Sequence, residues 1–342
     1  MKTKNKKIKI LGITQGADVP STRFRWSQYG EDLISENFEV SEAASKCGAY
    51  PPASHGWRPV WFGAACVENL GRVFRSNKFD LTFLQRNLIS TLFSLESMIK
   101  KPFVFDVDDA IFLGARGKNA NRIARISSLT ICGNNFLANH FADYGSVVVL
   151  PTAVDASRFV PLDHISGFQK VIGWSGSSSG FKYLYEIEPA ISKILKKYPD
   201  SILKIVSDKA PLFKSISSSK VVYEPWSVER EVAVLQEFSV GIMPLENSLW
   251  ARGKCSFKML TYMSVGIPVV VSPVGMNSEV LAQAHCGFGP RNHDEWVDSI
   301  SSLLENPTLS KSMGACGRKL IETNYSKKVI GPKLSLILKS QI

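Results

Sequence analysis

The sequence predicts an α/β protein of two domains, each a doubly wound parallel sheet, facing a central cleft. Three observations predict it. The chain has 342 residues, 44% of them hydrophobic, enough for two cores of ordinary size. Short apolar runs alternate with stretches whose apolar residues recur at helical spacing, the signature of βαβ units around parallel strands. A stretch over 151–168 holding Pro151, Pro161 and Gly167 divides two such series.

In the first series Ile8–Ile13 is a strand, and Leu81–Leu84 and Phe103–Phe105 are later ones. Between the last two, Leu88, Leu92, Leu95 and Ile99 fall at helical spacing and predict a helix. Ser146–Leu150 adds a β-branched run ended by Pro151. The second series holds Val171–Gly173, Leu203–Val206, Val221–Tyr223, Val240–Met243 and Pro268–Val271. This gives Rossmann-like domains over 1–155 and 156–322, with a basic helix over 323–342 packing back on the first. Ligands are expected where the carboxyl ends of the strands face each other.

Composition excludes several classes. No 18-residue apolar run is present, so nothing spans a bilayer as a helix. The basic start Met1–Lys7 is followed by only Ile8–Ile13, too short for a signal peptide. Six dispersed cysteines (Cys47, Cys66, Cys132, Cys255, Cys286 and Cys316) form no CxxC pair, which predicts reduced thiols and a cytoplasmic protein. The net charge of +11 favours anionic partners. Acid-free segments concentrate it: 110–142 with Arg116, Lys118, Arg122 and Arg125, and the tail with Lys327, Lys328, Lys333 and Lys339. No nucleic-acid-binding motif accompanies the charge, so no nucleic acid is expected as a partner. The first βα loop, Gly16–Arg25, lacks G-x-G-x-x-G, which argues against a nicotinamide-dependent dehydrogenase.

The densest chemistry lies in 243–275. A strand delivers the chain to a loop with Arg252, Lys254 and Lys258, and a helix starts near Ser256. Helix-start N–H groups and three cations can converge on one anion, and a diphosphate fits. A solvated basic loop is the plain alternative.

Here the sequence resembles GT-B glycosyltransferases, in particular the family 4 retaining enzymes. Lys258-Met259-Leu260-Thr261-Tyr262-Met263 with Gly266-Ile267-Pro268-Val269-Val270 matches their Lys-led helix and Gly-x-Pro-Val-Val. Phe105–Ala110, Pro151–Asp155 and Gly173-Trp174-Ser175-Gly176-Ser177 extend the resemblance over nearly the whole chain. It implies transfer of a sugar from a nucleotide-diphosphate donor held by the C-terminal domain. Gly173, Ser175, Gly176, Ser177, Lys182, Trp226, Arg252, Lys254, Ser256, Phe257 and Thr261 are then expected at the donor, and Lys258 on its diphosphate. Two departures stand out. The family's E-x7-E pair falls on Gly253 and Thr261, and Trp174 takes an Arg position, with Lys182, Arg252 or Lys254 as substitutes.

Asp106, Asp108 and Asp109 follow a strand. They allow a DxD metal site, an acceptor-orienting or general-base role, or a helix cap. We expect an acceptor role for Asp108 or Asp109, and no metal or other cofactor. Arg25 and Arg86 are the acceptor-binding candidates, and Ser21 is an N-cap candidate. Tyr50, Trp57, Trp61 and Phe62, beside Lys46 and Arg58 in the acid-free segment 43–67, can stack on a sugar or meet lipid, with core packing the expectation for each singly. His55, His140, His164, His285 and His293 form no catalytic arrangement.

The sequence therefore predicts a metal-independent retaining glycosyltransferase of hexosyl type. Its expected acceptor is a glycan or lipid-diphosphate-linked glycan in surface polysaccharide synthesis, with peripheral contact to the inner membrane face. A non-catalytic nucleotide-sugar-binding module and a sugar-nucleotide epimerase are the alternatives.

Overall fold

The structure, a computed structural model, describes residues 6–16, 19–48, 51–52, 54–89, 95–114, 117–162 and 170–342. Tyr50, Leu92, Arg116, His164 and Gly167 lie outside them. The chain divides into two compact units. One comprises Met1–Ala153, Gly253–Cys255 and Lys327–Ile342, and the other Val154–Arg252 and Ser256–Ser326.

The first unit is a six-stranded parallel sheet in the order β2-β1-β3-β4-β5-β6. Its strands are β1 (Ile8–Thr14), β2 (Phe38–Ala44), β3 (Leu81–Gln85), β4 (Phe103–Val107), β5 (Leu129–Cys132) and β6 (Val147–Val149). The helices are α1 (Pro20–Arg25), α2 (Gly30–Ser35), α3 (Arg58–Arg75), α4 (Gly117–Ile126), α5 (Asn135–Phe141) and α14 (Lys327–Lys339), the last following those of the second unit. Strands buried on both faces are mostly apolar: every residue of β3 and β4 is buried, with Thr82, Gln85 and Asp106 the polar exceptions. Ile330, Leu334 and Leu338 of α14 join Ile10, Tyr29, Leu33 and Leu81 in one core. Lys339 pairs with Glu36 at 2.6 Å and Lys327 with Asp32 at 3.6 Å, so two tail lysines are engaged within this unit.

Several expectations need correction here. Leu88–Ile99 is not a helix along its described part; only Leu95–Met98 forms a single 3-10 turn. β4 runs on through Asp106, which therefore lies in the strand and not after it. Pro20 opens α1 with Val19 at the cap position, so Ser21 sits inside the first turn. Trp57 and Phe62 are exposed, not core residues.

The second unit repeats the architecture in the order β12-β11-β10-β7-β8-β9. Its strands are β7 (Val171–Ser175), β8 (Ile202–Ser207), β9 (Val221–Pro225), β10 (Val240–Met243), β11 (Val269–Val271) and β12 (Gly287–Phe288). Its helices are α6 (Phe181–Glu186), α7 (Glu188–Lys197), α8 (Glu231–Gln236), α9 (Leu249–Arg252), α10 (Phe257–Ser264), α11 (Met276–Leu281), α12 (His293–Glu305) and α13 (Pro307–Leu320). Ile172, Ile205, Ile242 and Val270 from the central strands pack against Ile191, Ile194, Ile300 and Leu303 of α7 and α12. The start of the expected linker is part of this unit: Phe159 is fully buried, and Arg318 donates to the carbonyls of Ala156 and Phe159. Among the described residues no helix is long and apolar enough to cross a membrane. All six cysteines are free thiols.

Candidate functional site

In the second unit the site grows from two strand ends. α10 packs closely on β10 because Gly241 has no side chain; a Cβ there would lie 2.4 Å from the Tyr262 ring. Tyr262 is buried, and its hydroxyl accepts the amide of Ser175 at 2.8 Å, tying the loop after β7 to α10. Burial raises the phenol's pKa, so it stays protonated. Asp208 accepts the Ser178 amide (2.6 Å) and hydroxyl (2.8 Å), joining the loops after β7 and β8. Those bonds, the amide's foremost, hold its carboxyl below the usual range.

Lys258 is the second residue of α10, whose first turn carries no acid. Its Nζ lies 5.2 Å from the Trp174 ring centroid. A Cβ on Gly176 would fall 2.2 Å from Lys258 Cε and 2.9 Å from Nζ, so this glycine makes the room in which the lysine lies. Ser256 caps α10 with φ 51°, a left-handed conformation uncommon for serine. The loop after β7, the start of α10 and Lys258 are thus brought together, with Trp174 as their floor.

The other donor candidates are placed differently. Gly173 is internal to β7, where a Cβ would lie 2.0 Å from the Phe238 ring, so packing requires a glycine there. Ser177 bonds to Ser179 through its hydroxyl. Thr261 is buried and donates to the Lys258 carbonyl at 2.8 Å. Phe257 is half-buried at the start of α10. Arg252 is exposed on α9 and donates to Asn247. Lys182 is exposed and pairs with Glu246 at 3.0 Å, a carboxylate that sequence reading had not singled out. Trp226 is exposed beyond β9. A cavity of about 750 Å³ opens beside Leu245, Asn247, Pro273, Arg291 and Trp296, and none of the candidates lines it.

Lys254 belongs to the first unit, apart from the lysine it was grouped with. Its Nζ is 3.8 Å from Asp109 Oδ1. Cys255 donates its thiol to the Asp108 carbonyl at 3.1 Å, and Asn134 donates to the Lys254 carbonyl at 3.1 Å. A Cβ on Gly133 would lie 2.2 Å from Cys255 Sγ, so that glycine admits the thiol. Burial, with the nearby carboxylates, raises the Cys255 pKa and keeps the sulfur neutral.

The carboxylates in and just after β4 divide by partner. Asp106 is buried and meets Arg25, itself 3% exposed, at 2.5 Å; Arg25 also donates to the Leu150 carbonyl at 2.6 Å. Arg25, expected at the acceptor, is thus held as a buried tie inside the core. Asp108 and Asp109 lie at the surface margin and share one guanidinium: Arg86 reaches Asp108 at 2.6 Å and Asp109 at 3.0 Å. Arg86 takes a left-handed backbone with φ 54°, and its amide donates to the Asp106 carbonyl at 3.0 Å. Burial works against the charge of Asp108, but Arg86 outweighs it and the pKa is lowered. For Asp109 burial prevails over Arg86 and Lys254, and its pKa is raised.

Among the described residues no group of three or more His, Cys, Asp and Glu could hold a metal ion. The three aspartates instead answer to Arg25, Arg86 and Lys254. His140 stacks on Phe112 with centroids 3.6 Å apart, and His293 bonds to the Glu186 carbonyl, both structural contacts.

Residues 169–306 match the family described as glycosyl transferases group 1. No curated protein sequence matches the chain. Among solved structures, the chain is similar to sucrose-phosphate synthase from Thermosynechococcus elongatus, with TM-score 0.70, 14% identity and coverage of 98% of this chain and 99% of that one. Anabaena HepE in complex with UDP and glucose gives TM-score 0.68 at 13% identity, covering 97% and 100%. WaaG, a glycosyltransferase involved in lipopolysaccharide biosynthesis, gives 0.67 at 12%, covering 97% and 99%. At such identity the likeness establishes fold. Residues 169–306 thus match the glycosyl transferases group 1 model, within a chain that has the GT-B fold of these solved structures.

Proposed function

We propose that this chain is a retaining glycosyltransferase that moves a hexose from a nucleotide-diphosphate donor to a glycan or lipid-diphosphate-linked glycan in surface polysaccharide synthesis. The observation that carries the reading is the fit of Lys258 into the space left by Gly176, at the start of a helix whose first turn holds no acid. A diphosphate there meets an ammonium, helix-start N–H groups and the positive end of the helix dipole. Lys258 neutralises the leaving diphosphate as its bond to the anomeric carbon breaks. Arg252 and Lys182 add positive charge, and Trp226 offers a face to the base. The family match and the UDP-bound HepE structures support a nucleotide-sugar donor.

In the first unit Asp109 receives the proton of the acceptor hydroxyl, burial having raised its pKa above the usual carboxylate value and made it a stronger base. Asp108, kept ionised by Arg86, positions that group, and Lys254 completes the set. We assign no metal to the reaction, because arginine and lysine already compensate these carboxylates. The acceptor class places the enzyme at the inner face of the plasma membrane, peripherally bound from the cytoplasm.

A second reading, a nucleotide-sugar-binding module without turnover, has one specific observation in its favour. The family's carboxylate pair is replaced by Gly253, where a Cβ would lie 2.8 Å from the Ala110 amide nitrogen, and by Thr261, whose hydroxyl is spent on Lys258. One experiment separates the two. A thermal-shift screen of nucleotide sugars identifies the donor, since ligand at 100 times its dissociation constant adds about 2.7 kcal/mol of stability. Transfer is then measured for the wild type and Lys258→Ala, with a loss of at least ~100-fold expected. Binding without transfer or hydrolysis selects the module, and near-normal turnover in the variant removes Lys258 from its role.

A further inference from the structure

Helix α3 is built inside out. Its buried residues are Ala65, Asn69, Arg72 and Val73, so half of its inner face is polar. That face is fully employed. Arg72 donates to the carbonyls of Ala43 at 2.9 Å and of Thr14, near the carboxyl ends of β2 and β1, and to Asn69 at 2.8 Å. Glu68 turns to the loop before the helix and accepts the amides of Lys46 (2.5 Å) and Cys47 (3.0 Å).

The outer face is apolar instead. Val60, Val67 and Phe74 are 61%, 75% and 53% exposed, and Leu70 and Phe62 are exposed beside them. Gly63, Ala64 and Gly71 fill the gaps, so positions 60, 63, 64, 67, 70, 71 and 74 form one stripe at three- and four-residue spacing. Trp57, 66% exposed, stands at its amino-terminal end. Eighteen residues make the helix about 27 Å long. The charges at its borders are cationic: Arg58 at one end, Arg75 and Lys78 at the other. The only acid on the helix, Glu68, is turned away. A contiguous apolar stripe of this kind is a contact surface awaiting an occupant.

The bordering charges select the occupant. In a symmetric pair of helices run antiparallel, Arg58 of one copy would meet Arg75 of the other, and a parallel pair would set like against like, with no acid on the face to compensate. An anionic lipid surface satisfies every part of the helix: apolar side chains in the acyl boundary, the indole at the interface and guanidinium groups among the headgroups. We propose that α3 is the element by which this chain docks on an anionic membrane, lying in its plane. The proposal rests on the membrane placement given above and supplies the surface that placement lacks.

The test uses the full chain and vesicles of phosphatidylcholine with about a third phosphatidylglycerol, read by co-sedimentation at low and high salt. Val67 and Phe74 are exposed, so Val67→Glu with Phe74→Glu leaves the core intact. The double variant should bind vesicles at least tenfold more weakly, while binding the donor nucleotide as the wild type does. Arg75→Ala with Lys78→Ala should weaken binding chiefly at low salt. Wild-type sedimentation retained by the double glutamate variant overturns the proposal, as does a wild-type dimer that this variant dissolves without vesicles being involved. Vesicle binding by a chain that fails to bind any nucleotide sugar would overturn the transferase reading and leave the docking surface standing.

Discussion

Gly176→Ala separates a role in donor binding from a role in folding. The added methyl would lie 2.2 Å from Lys258 Cε, 2.9 Å from its Nζ and 3.1 Å from Trp174 Cη2. One neighbour must move. The indole is buried and packed on Phe181, with centroids 5.5 Å apart, so the lysine yields. Swinging the end of a flexible side chain costs about 0.5–1.5 kcal/mol, so the variant should stay folded with a small fall in melting temperature. Donor chemistry should suffer far more: displacing one electrostatic stabiliser costs roughly 100- to 1000-fold in turnover. The assay is a double-mutant cycle on transfer rate and nucleotide affinity with Gly176→Ala, Lys258→Ala and both. If the glycine serves only to admit the lysine, the double variant is no worse than Lys258→Ala alone. Additive losses, or full activity in Gly176→Ala, would refute the reasoning.

Two further variants test the first unit. Arg25→Met strands the buried Asp106 carboxylate and should cost about 3–5 kcal/mol in urea unfolding, with no change in acceptor KM in the surviving folded fraction; a selective KM effect would restore an acceptor role. Asp108→Asn should cost about 1–3 kcal/mol at neutral pH. Because the folded Asp108 pKa is lowered, its contribution is present above the ordinary carboxylate value and fades as pH falls through the lowered one. Wild-type and variant unfolding curves should therefore converge in acid. Asp109 is shifted the opposite way, so Asp109→Asn should be no less stable than wild type at neutral pH while losing transfer activity.

Much of the fold was legible because buried parallel strands are short apolar runs, as in Val240–Met243, where expectation and structure coincide. β2 escaped for a physical reason: it is an edge strand, and Glu39 and Glu42 interrupt its apolar pattern. β12 is two residues long and leaves no pattern. Helical spacing at 88–99 misled along the described part because Leu88 and Ile99 are buried on either side of a 3-10 turn, and periodicity does not distinguish such packing from a helix. The site was half legible. Lys258 and the Gly176 loop could be picked out, but their mutual fit joins residues 82 positions apart, a relation no local pattern carries. The same holds for Arg25, whose pairing with Asp106 spans 81 residues. Arg86 with Asp108 and Asp109 had a signal in hindsight: a basic residue closing one parallel strand and acids closing its neighbour meet at the same sheet edge.

The assignment of α14 to the first unit bears on how the polypeptide matures. Ile330, Leu334 and Leu338 complete a core whose other buried members lie at or before Ala153. At synthesis rates of about 5–20 residues per second, the ribosome needs roughly 10–35 s to travel from the end of that segment to the helix. During this interval the nascent amino-terminal half holds an unfilled greasy groove while the next unit emerges and condenses. A chaperone that shields such a groove co-translationally would have its natural client window there, closing when the last helix clears the exit tunnel.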